Sequence, residues 1–206
     1  MNKHSSKYVI SVKRKLLNFS RQQLVYITNL PRLLWFRILS AFTRVSSRSS
    51  CKFPTFFNGA GKIEIGHRVV IGVINSPYFL SGYNYLEARS TEAEILIHDG
   101  VQINNNFVCI ADQTKVCIGE NTLIGFNVQI YDSNFHDLDP NKRLNLDPNP
   151  KPVIIGKNVF VGSNVTILKG VCIGDNSVIG SGSVVSNSIP SNSLASGNPA
   201  KIIERS

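Results

Sequence analysis

IGKNVF, VGSNVT, ILKGVC, IGDNSV, IGSGSV and VSNSIP follow one another without a gap from residue 155 to residue 190, and each opens on Ile or Val, at 155, 161, 167, 173, 179 and 185. A helix repeats its apolar side chains every 3.6 residues and a strand every second residue. Neither accommodates a strict period of six with Val, Ser or Ile at the fifth position. The period fits a coil that returns to one flat face with every unit. Three faces close a prism, and each opening aliphatic points inward and stacks on its equivalent one coil away. A single coil cannot bury that column alone, so the array must continue.

The same phase recurs upstream in IGHRVV at Ile65, IHDGVQ and INNNFV at Ile97 and Ile103, and IGENTL and IGFNVQ at Ile118 and Ile124. The solenoid therefore covers the chain from about Lys62 onward. Two segments break the period. Residues 73–94 contain Pro77, Gly82 and several aromatics, and residues 133–152 end in the Asp-, Asn- and Pro-rich run DLDPNKRLNLDPNPKP. Long irregular loops on a rigid scaffold are either functional or disordered, which directs attention to the polar residues of the second.

Charge is distributed unevenly. Residues 1–52 carry Lys or Arg at 3, 7, 13, 14, 15, 21, 32, 37, 44, 48 and 52 and no Asp or Glu, so the net charge of +9 originates entirely in this segment. It also contains LVYITNLPRLLWFRILSAF at 24–42. A membrane-spanning helix needs roughly 20 mostly apolar residues, and Pro31, Arg32 and Arg37 interrupt this run. A secretory signal is disfavoured as well, since no small-x-small cleavage site follows an unbroken apolar core. Two readings stand: a basic amphipathic arm lying on an anionic bilayer, or a helical extension packed on the solenoid's open end or on a neighbouring subunit. Stacking motifs for nucleic acid are absent. The expected division is a basic amphipathic extension, 1–52, and a solenoid domain, 53–203, with the loop 133–152. Cys51, Cys109, Cys117 and Cys172 form no CxxC pair, and the last three fall in strand-like units where a thiol serves as a small apolar group. A reducing, cytoplasmic setting follows from that usage.

CIADQTKVCIG at 109–119, the run from Pro152 to Val185 and SGNPAKII at 196–203 together resemble the hexapeptide-repeat acyltransferases of the galactoside, maltose and polysaccharide O-acetyltransferase type. The resemblance spans residues 62–203 and implies an all-β, left-handed parallel β-helix. The hand is implied by the family alone, because spacing gives the coil and not its sense, and parallel crossovers are otherwise right-handed. By the same resemblance the chain is an O-acetyltransferase acting from acetyl-coenzyme A on a hydroxyl of a sugar or cell-surface polysaccharide precursor. It needs no metal and works as a homotrimer.

The family's general base matches His136 in QIYDSNFHDLDP. An imidazole titrating near neutrality is suited to deprotonating an attacking hydroxyl. Its second nitrogen needs a partner, for which Asp132 and Asp137 are candidates by proximity and turn formers by type. Asn105 and Asp112 match acceptor-binding positions. Gln113 replaces the second carboxylate of a family Asp-Asp pair, a departure that detaches the chain from galactoside specificity, and Asn104 to Asn106 read equally well as a ladder capping coil corners. Donor-binding positions match Ser163, Ser181, Ser186, Asn187 and Lys201, with Asn187 standing where the family has Lys. SVIGSGSVV at 177–185 is no phosphate loop, because no helix follows it.

Two other functions share these features. A γ-type carbonic anhydrase holds zinc with three histidines, two of them five residues apart, whereas His67, His98 and His136 are separated by 31 and 38 residues. His67 and His98 are expected as solvent-facing corner residues. A non-catalytic solenoid binding a membrane or a partner through its basic arm is the remaining reading.

Overall fold

The structure, a computed structural model, describes residues 23–41, 43–47 and 50–203. Residues 1–22 of the basic extension lie outside the described residues. Three parallel sheets form the faces of a prism. The first face runs through six strands from Arg44–Ser47 to Cys172–Ile173, and the third through six from Thr55–Asn58 to Val184–Val185. The second begins at Ser50–Cys51 and ends at Leu194–Gly197, where Ala200–Ile203 folds back antiparallel.

Register explains the period of six. On the first face Ile65, Ile97, Ile118, Ile155 and Ile173 pair in succession. The second face stacks Ile71, Ile103, Ile124, Val161 and Ile179, and the third stacks Leu86, Cys109, Ile130, Ile167 and Val185. Each of these side chains is buried. Fully burying one Ile is worth about 1.5–3 kcal/mol, so the columns supply the main stabilising term. Cys109 takes an aliphatic's place in its column, and burial, with Asp132 nearby, pushes its thiol pKa up. Ser177 and Ser183 occupy the fifth position without cost because their hydroxyls donate to Pro190 O and Gly180 O.

The corners divide their demands between two residue types. Asn158, Asn164, Asn176 and Asn192 take the left-handed backbone conformation, with φ of 53° to 61°, which Asn tolerates better than most residues. Their amides bond from coil to coil as ladders, Asn158 to Asn176 to Asn192 and Asn106 to Asn127 to Asn164. Glycine is needed for close approach instead. A Cβ on Gly162 would lie 2.6 Å from Ser181 N in the next coil.

Two elements differ from the sequence reading. The first coil begins at Arg44, so the solenoid starts ahead of residue 53. Within the interruption at 73–94, Asn84–Ala88 is a regular strand of the third face, paired with Thr55–Asn58 and Val108–Ala111. Neither segment carries the hexapeptide signature, and only pairing with neighbouring coils makes them strands. The insertion proper is residues 73–83.

A helix across 23–39 closes the N-terminal end. Asn29 is buried, and Arg32 donates to Asn29 Oδ1, Phe79 O and Gly82 O. Phe36 stacks on Tyr83 with centroids 4.9 Å apart, and Ser40 Oγ accepts the Phe57 N–H at 2.9 Å. Between helix and first coil lies a cavity of about 500 Å³ lined by Tyr26, Leu30, Leu33, Val45, Phe53 and Phe57, among others. No helix among the described residues is long and apolar enough to cross a membrane.

Candidate active site

The loop carrying His136 leaves the third face after Gln129–Tyr131 and rejoins the first face at Val153–Ile155. Both of its ends converge on Asp147. This buried carboxylate accepts the Asn134 N–H at 2.8 Å and the Asn149 N–H at 3.0 Å, is met by the Ser133 hydroxyl, and forms an ion pair with Lys169. Burial by itself would raise the Asp147 pKa. The Asn134 N–H, the Lys169 ammonium and the Asn149 N–H overcome burial and hold it at about 2. Lys169 also donates to Asn149 O, and Gln113 Nε2 donates to Asp147 O.

Between those anchors the chain turns sharply. Phe135 has φ of 67°, a left-handed conformation uncommon for a bulky residue and held here by its surroundings. Its ring meets Tyr131 edge-on at 5.5 Å, and the Arg89 guanidinium lies 4.9 Å from its centroid. Arg89 in turn bonds Glu87 and Asp112, both at 3.0 Å. His136 follows directly and is exposed at the loop's outer edge.

Several residues singled out from the sequence have other occupations. Asp132 is fully buried; its carboxylate accepts the N–H groups of Asp112, Gln113 and Thr114 and the Thr114 hydroxyl, closing the corner one coil below. Asp137 Oδ1 accepts the Asp139 N–H in a local turn. Among the described residues neither carboxylate bonds His136. Asn105 is also fully buried: its Oδ1 accepts the Val73 N–H at 2.9 Å and its amide donates to Val73 O and Pro77 O. It holds the 73–83 insertion. Asp112 is 2% exposed and is occupied by Arg89 and Gln113. Asn104 is the member of the run that reaches the surface with its amide NH2 free among the described residues, its Oδ1 accepting the Asn105 N–H. Asn105→Ala should therefore lower thermal stability, by about 2 kcal/mol or more for the partners left unpaired. It should expose 73–83 to proteolysis, and a melting temperature equal to the parent's would refute the assignment.

The donor-side residues fall on two corners. Ser163 and Ser181 follow successive strands of the second face, and Ser181 Oγ accepts the Ser163 N–H at 3.1 Å. Ser186 and Asn187 follow the last strand of the third face and are exposed. Lys201 is exposed on the antiparallel return, opposite Ser196. Hydroxyls, an amide and an ammonium suit the polar arm and phosphates of a coenzyme A thioester. His67 and His98 are exposed at corners of the first face, and no three His, Cys, Asp or Glu side chains gather around a metal-sized position among the described residues. Sequence reasoning missed Arg89, Phe135, Asp147 and Lys169. Only the acidic, Pro-rich composition of the loop hinted at Asp147.

A three-faced solenoid of hexapeptide coils, with a short insertion at 73–83 and a clamped loop that presents an imidazole, defines a class of transferase. A model of that class, the bacterial transferase hexapeptide of six repeats, matches residues 152–187. The Escherichia coli K12 protein WbbJ, whose name assigns it to lipopolysaccharide biosynthesis as an O-acetyl transferase, is 36% identical over 173 residues, covering 79% of this chain and 83% of that protein. The galactoside O-acetyltransferase of E. coli K12 is 44% identical over 108 residues, 52% of this chain and 53% of that enzyme. The chain spans about half the length of four of the curated relatives it matches, the galactoside enzyme among them. Among solved structures, the polySia-specific acetyltransferase NeuO superposes with a TM-score of 0.52 at 27% identity, over 78% of this chain and 79% of that one. The chain belongs to the hexapeptide-repeat transferase family, and its prism is the left-handed parallel β-helix of those enzymes.

Proposed function

We propose that this protein transfers an acetyl group from acetyl-coenzyme A to a hydroxyl of a sugar or cell-surface polysaccharide precursor, with His136 as general base. The observation that carries this reading is the likeness to WbbJ along most of both chains. The imidazole takes the acceptor's proton as the hydroxyl oxygen attacks the thioester carbonyl. The tetrahedral adduct then expels the thiolate, and the imidazolium returns the proton to sulfur, leaving acetyl ester and free thiol.

The acceptor contact assigned to Asn105 passes to Asn104, whose amide reaches the surface. Donor residues on two corners suit a groove between neighbouring prisms, which is the reason to read the protein as a homotrimer. His136, which makes no hydrogen bond among the described residues, then finds its orienting partner across that groove. The setting is cytoplasmic, with peripheral attachment at the inner face of the plasma membrane, in keeping with the acetyl donor and the basic extension.

The test is thiol release from acetyl-coenzyme A against nucleotide sugars, lipid-linked glycans, free sugars and serine, with sedimentation to count the 22.7 kDa chains. A glycan acceptor and three chains are expected. Turnover confined to serine, or a monomer with full activity, would overturn the reading.

A further inference from the structure

The helix across 23–39 has two unlike faces. Asn29, Arg32, Phe36 and Ser40 are engaged with the solenoid as described above. Leu24, Ile27, Leu34, Trp35 and Ile38 are 56% to 64% exposed. At 3.6 residues per turn these five fall within an arc of about 100° on the opposite side, with Pro31 in the same row and Leu34 at the edge, where it also lines the cavity against the first coil. A contiguous apolar face of this kind, on a helix already anchored from behind, is an interaction surface.

Its charge surroundings select the occupant. The segment 1–52 has eleven Lys or Arg and no acid, and the first carboxylate in the chain is Glu64, which is paired with Lys62. Arg37 on the helix and Arg44 and Lys52 on the first coil are exposed at this end of the prism. An apolar stripe with a tryptophan, bordered by cations alone, matches the headgroup and acyl boundary of an anionic bilayer. The geometry points to the Leu24, Ile27, Leu34, Trp35 and Ile38 face as a docking surface for anionic phospholipid membrane, with the N-terminal end of the solenoid toward the lipid. Packing on the solenoid and lying on a membrane are then properties of opposite faces of one helix.

The arrangement deepens the glycan-acceptor reading and rests on it for its purpose. Three coils separate the first coil from the strand that opens into the His136 loop. At about 4.8 Å per coil that strand lies roughly 15 Å along the axis from the first coil, and the helix, about 10 Å thick with its side chains, stands between that coil and the bilayer, so the loop opens at the level of the sugars of a lipid-linked precursor rather than of its lipid.

Trp35 is the only tryptophan in the chain, so tryptophan emission, excited selectively over the tyrosines, reports this face alone. Full-length protein mixed with phosphatidylglycerol-containing vesicles should show a blue-shifted emission and should co-sediment with them. Both signals should weaken with added salt and be absent with pure phosphatidylcholine. Ile38→Asp and Ile27→Asp should each cut vesicle partitioning about tenfold or more, leaving acetyl transfer to a soluble acceptor unchanged. Emission that is already blue-shifted without vesicles and insensitive to them would mean another part of the chain or a second copy covers the face, and would overturn the inference. Equal partitioning of the Asp variants would do the same. Vesicle binding without acetyl transfer would remove the enzymatic reading while leaving this one intact.

Discussion

His136→Ala should reduce kcat for acetyl transfer by about 10² to 10⁴, the range supplied by a positioned general base, while coenzyme A binding and thermal stability stay near the parent values. The contrast is sharp because the ring is exposed and makes no hydrogen bond among the described residues, so its removal takes nothing from the fold. Surface substitutions of that kind shift stability by about 0.5 kcal/mol at most. The measurement is steady-state thiol release beside a melting curve on the same preparation. Turnover at the parent rate would eliminate the imidazole as base, and a large drop in melting temperature would mean the side chain has a structural partner.

Asp147→Ala should be the most damaging change in the loop even though the residue touches no reactant. It strands the Lys169 ammonium, only 19% exposed, and leaves the Asn134 and Asn149 N–H groups without their acceptor. Breaking a buried pair by removing one partner costs about 3–5 kcal/mol. The loss falls on the segment that holds Phe135 in its left-handed turn and so aims His136. Activity should therefore decline with loop order, and Asp147→Asn, which keeps an acceptor, should recover part of it. The pH dependence carries a sign. A folded pKa depressed from 3.8 to about 2 contributes stability that is complete above the unfolded value and is lost as pH falls through the folded one. The parent should thus lose roughly 2 kcal/mol between pH 4 and 2, and Asp147→Asn should lack that component. Identical acid profiles would refute the clasp.

The path from sequence to site was uneven for reasons visible in single residues. The loop that carries His136 was legible because it opens between two hexapeptide coils and leaves the period intact on either side. The bonds of Asp132 and Asn105 were not legible, because carboxylates and amides in a run of turn-forming residues look alike whether they face solvent or backbone. Their partners lie 20 and 32 residues away in sequence and one coil away in space, where no local pattern reports them. Asn84–Ala88 and the coil beginning at Arg44 escaped notice for a related reason: neither repeats the Ile-Gly opening, and both are held by ladders to neighbours that do.

The chain alone determined the prism, its inward aliphatic columns and the position of the His136 loop, since burial of a column is enforced at every sixth residue and is written into each unit separately. Folding decided which polar groups remain available for chemistry. Hydrogen-bond capacity is finite, and the coil-to-coil contacts that saturate Asp132, Asn105 and Asp112 exist only once the turns are stacked.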